Sequence, residues 1–256
     1  MKKFELTAEF VTNVFGKKLF RIKALVAFGD VEKGELGGFI EKEDNISHSG
    51  NAWVSGNAQV SGDAQVSGNA QVSGDAQVSG DAWVSGDAQV SGNAQVYGNA
   101  QVSGDAWVSG DAWVSGNAQV YGNAWVSGNA QVSGDAWVSG DACVSDNAQV
   151  YGNAWVSGNA QVSGNAQVSG DARVSGNADF AVVTGFGRYF RATTFFCCKD
   201  KILRVQCGCF YGDLAQFREI VKKTHGVSKY AKEYLAIADL MELHFSDEEE
   251  KQEADE

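Results

Sequence analysis

A valine recurs every six residues from Val54 to Val174, twenty-one times without an insertion or deletion. Each repeat reads V-[SY]-G-[ND]-A-[QW], with Asp146 and Cys143 as single-residue departures. In each A-[QW]-V triplet the small Ala and the aliphatic Val point inward, and the Gln or Trp between them points outward. This alternation is typical of a short strand that buries one face. Gly-Asn and Gly-Asp tolerate left-handed backbone angles. The pattern therefore predicts a three-residue strand and a tight turn in every hexad.

Three hexads per coil predict a triangular prism of about seven stacked coils. The valines fill its interior, the alanines let its walls approach, and backbone hydrogen bonds join each coil to the next. At the usual spacing of about 4.8 Å between parallel strands, the rod is about 34 Å long. Because each open end would expose unpaired strand edges, we expect the flanking segments to be caps.

The unit V-[SY]-G-[ND]-A-[QW] resembles the hexapeptide repeat of left-handed parallel β-helix proteins. Val54 and its successors match the aliphatic position, and Ala58 and its successors match the small position. The resemblance spans about half of the chain and supplies the handedness, which periodicity alone does not give. It implies an all-β solenoid, a left-handed parallel β-helix.

The end segments carry a second resemblance. The stretches "RIKALVAFGDVEKGELGGFIEKEDNIS" and "CGCFYGDLAQFREIVKKTHGVSKYAKEYLA" are similar to the flanks of uncharacterised hexapeptide-repeat proteins of phages, prophages and bacteria. This similarity implies a phage or mobile-element origin, and it assigns no reaction.

The chain divides into four predicted segments. These are an N-terminal β cap (1–42), the hexapeptide-repeat β-helix (43–179), a C-terminal β-hairpin and two-helix cap (180–245), and a disordered acidic tail (246–256).

In the N-terminal cap, two β-like runs flank Gly16 and Lys17. The Gly37-Gly38 pair lacks the Lys-Ser/Thr of a phosphate loop and is interpreted as a turn into the first coil. His48 occupies a valine position by simple counting, and we interpret it as an irregularity of the repeat rather than a ligand.

In the C-terminal segment, a hairpin is predicted to turn near 199–201. It would bring Cys197 and Cys198 toward Cys207 and Cys209. Four thiols there suggest zinc, but the C-C and C-x-C spacings differ from the C-x-x-C of such sites, which favours free cysteines.

Two helices follow the hairpin. Asp213 and Gln216 have capping-box spacing, the apolar stripe is Leu214, Phe217 and Ile220, and Gly226 ends the first helix. The second runs from Ser228 through Phe245, and Leu235, Ala238, Met241 and Phe245 are expected to pack it on the hairpin. This module is either a cap or a recognition head that uses Arg188, Arg191 and Arg204.

When the repeat is divided into turns of 18 residues and the turns are aligned, the outward Gln/Trp positions form three columns. The first contains Trp53, Gln71, Gln89, Trp107, Trp125, Cys143 and Gln161. The second contains Gln65, Trp83, Gln101, Gln119, Trp137, Trp155 and Arg173. The third contains Gln59, Gln77, Gln95, Trp113, Gln131, Gln149 and Gln167. Trp107 is therefore predicted to stack on Trp125, and Trp137 on Trp155.

All seven tryptophans occupy outward positions. One interpretation is that stacked indoles and amides only stabilise the rod, as they do in cross-β assemblies. A second is that they form an interface with a protein partner or another copy, since exposed aromatic patches often mark interfaces. A third is stacking on carbohydrate or nucleobases. The candidate partner-binding residues are Trp107, Trp125, Trp137, Trp155 and Trp113.

The net charge of −12 is concentrated in the rod, where residues 49–179 contain eleven acidic side chains and one arginine, Arg173. This balance argues against nucleic acid, because Lys and Arg supply most nucleic-acid affinity.

The acidic residues fall in the corner columns, where Asp63 adjoins Asp81 and Asp87 adjoins Asp105. An acidic stripe there is consistent with a basic protein partner, with mimicry of a duplex, with weak calcium binding or, most simply, with a solvated face.

No secretory signal and no apolar run of membrane-spanning length is evident. We therefore expect a soluble, non-exported protein of the cytoplasm, or of the host cytoplasm if it is phage-encoded. Five cysteines, four of them between 197 and 209, favour reduced thiols. No metal or cofactor is predicted.

Known hexapeptide-repeat enzymes include acyltransferases, which use a loop-borne histidine, and γ-class carbonic anhydrases, which need three histidines for zinc. This repeat has no insertion loop and no histidine after His48, so no catalytic residue is assigned. Ice binding would be expected to show threonine columns, which the hexads lack.

We expect a non-enzymatic scaffold or binding protein that displays Trp/Gln ladders and acidic corners. The alternatives are a phage-derived inhibitor that sequesters a host defence component, and a hexapeptide-repeat acyltransferase.

Overall fold

One two-residue strand per hexad forms the body of the molecule. The computed structural model describes residues 1–253, with side chains to residue 246. The twenty-one short strands of the hexads form three faces, each with seven parallel strands.

Face A contains β5 (Gln59–Val60), β8 (Gln77–Val78), β11 (Gln95–Val96), β14 (Trp113–Val114), β17 (Gln131–Val132), β20 (Gln149–Val150) and β23 (Gln167–Val168). Face B contains β4 (Trp53–Val54), β7 (Gln71–Val72), β10 (Gln89–Val90), β13 (Trp107–Val108), β16 (Trp125–Val126), β19 (Cys143–Val144) and β22 (Gln161–Val162). Face C contains β6 (Gln65–Val66), β9 (Trp83–Val84), β12 (Gln101–Val102), β15 (Gln119–Val120), β18 (Trp137–Val138), β21 (Trp155–Val156) and β24 (Arg173–Val174).

The repeat explains this architecture directly. Every valine and every alanine of the hexads is buried, so the interior is a continuous column of small aliphatic side chains. Each turn donates its backbone N–H groups to carbonyl oxygens of the next turn, as Trp53 N does to Ala70 O at 3.0 Å. The corner glycines have positive φ, for example 68° at Gly116, a conformation that costs other residues more. The predicted parallel β-solenoid is confirmed.

The solenoid begins earlier than the valine repeat. Ile40 and Ile46 pair with Val60 and Val66 and are fully buried, so they hold the aliphatic position in an additional first turn. His48 therefore does not occupy a valine position as predicted, because two extra residues in this turn shift the frame and Ile46 takes that position. The interpretation of His48 as a mark of irregularity in the repeat agrees with this shift. The His48 ring packs on Phe4 instead, with 4.5 Å between ring centroids.

Three antiparallel strands extend face A at the N-terminal end: β1 (Phe4–Thr12), β2 (Lys18–Ala24) and β3 (Leu36–Ile40), before a single 3-10 turn (Glu43–Asn45). Gly37 and Gly38 lie inside β3, not in a turn as predicted. A Cβ on Gly37 would stand 2.5 Å from the Val54 carbonyl oxygen, and one on Gly38 would stand 2.6 Å from that of Ala58. The glycine pair is needed for close packing of β3 on the solenoid.

Side-chain donors cover the backbone carbonyls at the N-terminal end of the solenoid. Lys3 Nζ donates to Gly50 O at 3.2 Å and to Ala52 O at 2.9 Å. Asn45 Nδ2 donates to two more carbonyls, those of Gly62 and Ala64. Since the first turn has no preceding turn to supply N–H donors, these two side chains satisfy acceptors that would otherwise be buried and unpaired.

Burial of Lys3 predicts a specific pH dependence. Desolvation lowers the pKa of Lys3 from 10.5 to about 8, so the unfolded chain binds more protons than the folded chain between these values. The free energy of unfolding should therefore rise with pH from about 8 upward. Urea unfolding from about pH 7.5 to 9.5, below the range where tyrosines ionise, measures this slope. Lys3→Met should lower stability and remove this contribution, and equal slopes for both proteins would contradict the assignment.

The C-terminal end is covered by an antiparallel sheet of β25 (Phe180–Val183), β26 (Thr193–Cys197), β27 (Leu203–Cys207) and β28 (Phe210–Asp213), followed by α1 (Leu214–His225) and α2 (Lys229–Glu253). Phe196 joins the solenoid core, whereas Phe195 packs under the helices. At this end the backbone N–H groups of the last turn have no following turn to accept their hydrogen bonds. Side-chain oxygens accept from them instead. Thr194 Oγ1 accepts from Gln167 N at 3.0 Å.

The helices follow the sequence prediction closely. Asp213 and Gln216 form the capping box. In the predicted apolar stripe, however, Ile220 is 37% exposed and Val221 is buried in its place. Of the segment 246–256, which was expected to be disordered, α2 contains residues up to 253 and 254–256 lie outside the described residues.

The cysteine arrangement differs from the prediction. The hairpin does turn at 199–201, but Cys197 pairs with Leu203 whereas Cys207 pairs with Thr193. The two pairs of cysteines thus lie at opposite ends of the β26–β27 ladder. Among the described residues, no group of three or more His, Cys, Asp or Glu side chains is placed to hold a metal ion.

Candidate partner-binding surface

The strand register produces the three predicted columns of outward side chains. Trp107 pairs with Trp125 on face B, and Trp137 pairs with Trp155 on face C. Because the interior side chains are identical from turn to turn, the outward positions are where the surfaces of the three faces differ.

The Trp107–Trp125 ladder is a parallel stack on face B. The ring centroids are 5.1 Å apart and the ring planes differ by 3°. The side chains are 40% and 45% exposed, so each indole keeps much of its surface in contact with solvent. The Trp107 indole N–H donates to Ser91 Oγ at 3.2 Å, which fixes the ring on the surface of the preceding turn.

The Trp137–Trp155 ladder on face C is longer because other residues extend it at both ends. The two indoles stack at 4.7 Å with an angle of 7°. Tyr121 packs edge-on against Trp137 at 6.0 Å, and the Arg173 guanidinium lies over Trp155 at 4.7 Å. The Arg173 head is also held by backbone carbonyls, including Asn153 O at 3.0 Å. The result is a continuous aromatic strip that ends in a positive charge.

Trp113 lies alone on face A. Its column neighbours are Gln95 and Gln131, and Tyr97 packs edge-on against it at 6.0 Å between ring centroids. Trp113 is 42% exposed, which is close to the exposure of Trp107. The five predicted site residues are thus divided among three faces and do not form a single patch.

Trp53 departs from the expectation that all tryptophans face solvent. It occupies an outward position, but it is only 2% exposed because the N-terminal cap covers it. Phe28 and Phe4 contact its ring edge-on, at 5.5 and 6.4 Å. Trp53 therefore anchors the cap, whereas Trp83 is exposed on face C.

Sequence reasoning missed the contacts that orient the indoles. Each contact joins a tryptophan to the Ser or Tyr position sixteen residues earlier, as in Trp83 with Ser67 and Trp113 with Tyr97. This spacing follows from the repeat, since the residue two places after Gln/Trp also faces outward on the preceding turn. The signal was available in the positions of Tyr97 and Tyr121, each sixteen residues before a tryptophan.

The acidic corners are hydrogen-bonded ladders. An Asn Nδ2 of one turn donates to an Asp Oδ1 of the next, as from Asn117 to Asp135 at 2.8 Å and from Asn123 to Asp141 at 2.8 Å. Asp63 is instead paired with Lys42. The alternation of Asn and Asp thus separates most carboxylates and supplies six of them with an asparagine donor.

These observations define the class of protein: the chain is a β-solenoid repeat protein. Its repeats match the family described as "YdcK Beta solenoid repeat" at residues 58–74, 64–80, 70–86, 76–92, 94–110, 100–116, 118–134, 148–164 and 166–178. A comparison with curated proteins gave no significant match. In the part of the chain that the structure describes, no helix has the length and apolar character needed to cross a bilayer.

Proposed function

We propose that this protein is a non-enzymatic scaffold that binds a protein surface, in the first instance another copy of itself, through its tryptophan ladders. The observation that carries the proposal is the Trp107–Trp125 stack, in which two nearly parallel indoles are held by hydrogen bonds and remain 40% and 45% exposed. Tryptophan is enriched among residues that dominate interface energies, and rigid side chains lose little entropy on binding.

The flat, repetitive form of face B supports self-association. Its outward side chains are Ser, Gln, Trp and Cys143, without a charged residue in the Gln/Trp column. A second copy therefore offers the same turn spacing and meets no charge repulsion between these columns. The face C strip differs, because Arg173 gives it one positive end.

Exchange of both face B indoles for glutamine tests this proposal. Gln occupies the same position in neighbouring hexads, so Trp107→Gln with Trp125→Gln should preserve the solenoid. We expect the unmodified protein to sediment as an oligomer and the double variant to dissociate at least tenfold more readily, because stacked aromatic anchors are typical hot spots. Sedimentation velocity over a range of concentrations makes the measurement.

Trp113→Gln is the matched control, since Trp113 is equally exposed but stands on another face. It should leave the association unchanged. A monomer for the unmodified protein, or equal effects of the control and the double variant, would count against self-association through face B.

Capture of a basic partner by the acidic corners is the rival binding mode. The corner carboxylates are exposed, but most accept a hydrogen bond from an asparagine of the preceding turn, which gives them a structural role. Binding through these corners should weaken steeply with salt, whereas binding through indoles should change little. A salt series in the same sedimentation experiment separates the two modes.

A further inference from the structure

The C-terminal module contains a cavity of about 220 Å³ between α1, α2 and the 187–191 loop. Its floor is apolar and aromatic, formed by Phe210, Phe217, Val221 and the ring of Tyr234. Phe217 and Val221 are almost fully buried, so the floor belongs to the packed core of the module and is preformed.

Two arginines stand at the rim of this cavity. The guanidinium carbons of Arg188 and Arg191 lie 5.5 and 5.1 Å from the centroid of the same Tyr189 ring. Gly208 leaves room for Arg191, because a Cβ there would stand 2.7 Å from its Nη1. Both cations therefore line the cavity next to the Tyr189 ring.

Neither rim arginine has a carboxylate partner among the described residues. By contrast, three other arginines of the protein each form an ion pair with Asp or Glu: Arg21, Arg204 and Arg218. The cavity lining contains no Asp or Glu, although the Glu233 carboxylate accepts a hydrogen bond from Gly187 N at 2.9 Å on the same loop. The rim therefore presents two positive charges that have no ion-pair partner in the described residues.

The floor of the cavity adds no negative charge that would offset the two arginines. Burial raises the pKa of Tyr234 to about 12, so its phenol is protonated at physiological pH. The surroundings are also basic, since residues 180–246 contain ten Lys and Arg against six Asp and Glu in a protein of net charge −12. An anion thus finds a favourable field at this end of an otherwise acidic molecule.

We propose that this cavity binds a small aromatic carboxylate. The apolar floor takes the ring, and the forked donors of Arg188 and Arg191 match the geometry of a carboxylate at the rim. Drug-sized ligands occupy cavities of about 300–1,000 Å³, so this smaller cavity fits one ring with a short acidic side chain. The site is separate from the tryptophan ladders and does not depend on the function proposed for them.

Titration of the full chain with 3-phenylpropionate tests the site, and 3-phenylpropionamide is the neutral counterpart. Heteronuclear NMR or calorimetry should show saturable binding of the acid with a Kd of about 1 mM or tighter, a range set by its few heavy atoms. The amide should bind at least tenfold more weakly, because it gives the rim arginines no charge to pair with.

Arg188→Gln and Arg191→Gln should each weaken binding of the acid about tenfold or more. Lys222→Gln is the matched control, as it removes one positive charge from α1 outside the cavity lining. Both arginines are exposed, so the variants should fold. Unchanged NMR signals of the backbone N–H groups outside the module verify this. Equal affinity for acid and amide, or equal affinity of Arg191→Gln and Lys222→Gln, would overturn the proposal.

Two further ligands identify the source of the carboxylate. The peptide Gly-Gly-Phe carries the phenyl ring and the carboxylate of 3-phenylpropionate at a free C-terminus. If it binds as tightly as 3-phenylpropionate, the natural ligand is the end of a polypeptide. If it binds more weakly, the natural ligand is a free acid. Phenyl phosphate replaces the carboxylate by a phosphate. Tighter binding of phenyl phosphate than of 3-phenylpropionate would contradict the assignment to carboxylates.

Discussion

Phe196→Ala is expected to destabilise the C-terminal cap by about 3–5 kcal/mol, the usual cost of removing a buried phenylalanine side chain. Phe196 belongs to the sheet of the cap, but its side chain lies in the core of the solenoid and is fully buried. Its loss would leave the interior of the last turn open to water. Because an open parallel edge recruits further strands, we also expect end-to-end association of the variant.

Phe195→Ala is the control for Phe196→Ala. Phe195 is equally buried at the preceding position of the same strand, but it faces the helices and contacts Phe217. Hydrogen exchange should show faster exchange at the last solenoid turn in Phe196→Ala, and faster exchange in α1 and α2 in Phe195→Ala. Equal loss of protection in the last turn for both variants would show that Phe196 is not a specific plug.

The sequence was sufficient to predict the solenoid because its signal is local and repeated. A hexad specifies a strand, a corner and the direction of each side chain, and an 18-residue turn then determines which residues are neighbours. For this reason the stacking of Trp107 on Trp125 followed from counting alone. The interior of the hexads needed no further information, since their inward positions are Val and Ala throughout.

The ends were harder to predict because their contacts are not periodic. Trp53 has the same local sequence as the exposed tryptophans, and only the folding of the N-terminal strands over it makes it buried. Likewise, Gly37 resembles a turn glycine in sequence, but it lies in a strand that packs closely against Trp53. Such features depend on tertiary contacts between segments without a repeat.

The candidate sites differ in the same way. The ladders could be located from sequence, whereas the arginine-rimmed cavity could not, because it combines the 187–191 loop with residues of α1 and α2. Arg188 and Arg191 were visible as basic residues of a possible recognition head. Their lack of carboxylate partners became evident only once the surrounding side chains were placed.

Gly116→Ala is expected to lower the free energy of unfolding by about 2 kcal/mol, while Gly116→Asp should cost less. Gly116 has a φ of 68°, which costs an L-residue about 1–2 kcal/mol. Its Cβ would also stand 3.0 Å from the backbone N and O of Gly134 in the next turn. Alanine gains nothing to offset these two effects.

The protein itself shows how aspartate relieves this strain. Asp146 occupies the same corner position with a φ of 58°, and its Oδ2 accepts a hydrogen bond from Gly164 N at 3.0 Å. In Gly116→Asp the new carboxylate can accept from Gly134 N in the same way, and a hydrogen bond to a charged acceptor contributes about 1.5–3 kcal/mol. Asp146→Ala should accordingly be destabilising, although it makes the side chain smaller.

Urea unfolding of the three variants beside the unmodified protein measures these differences. The expected order of stability is Gly116→Asp above Gly116→Ala, with Asp146→Ala below the unmodified protein. Both substitutions introduce the same strain, so if Gly116→Asp were the less stable of the two, the carboxylate would gain no net stabilisation from a hydrogen bond at this corner. The aspartate at 146 would then be tolerated only because neighbouring turns hold the corner in place, which is the cooperativity expected of a solenoid whose repeats are stabilised by their neighbours.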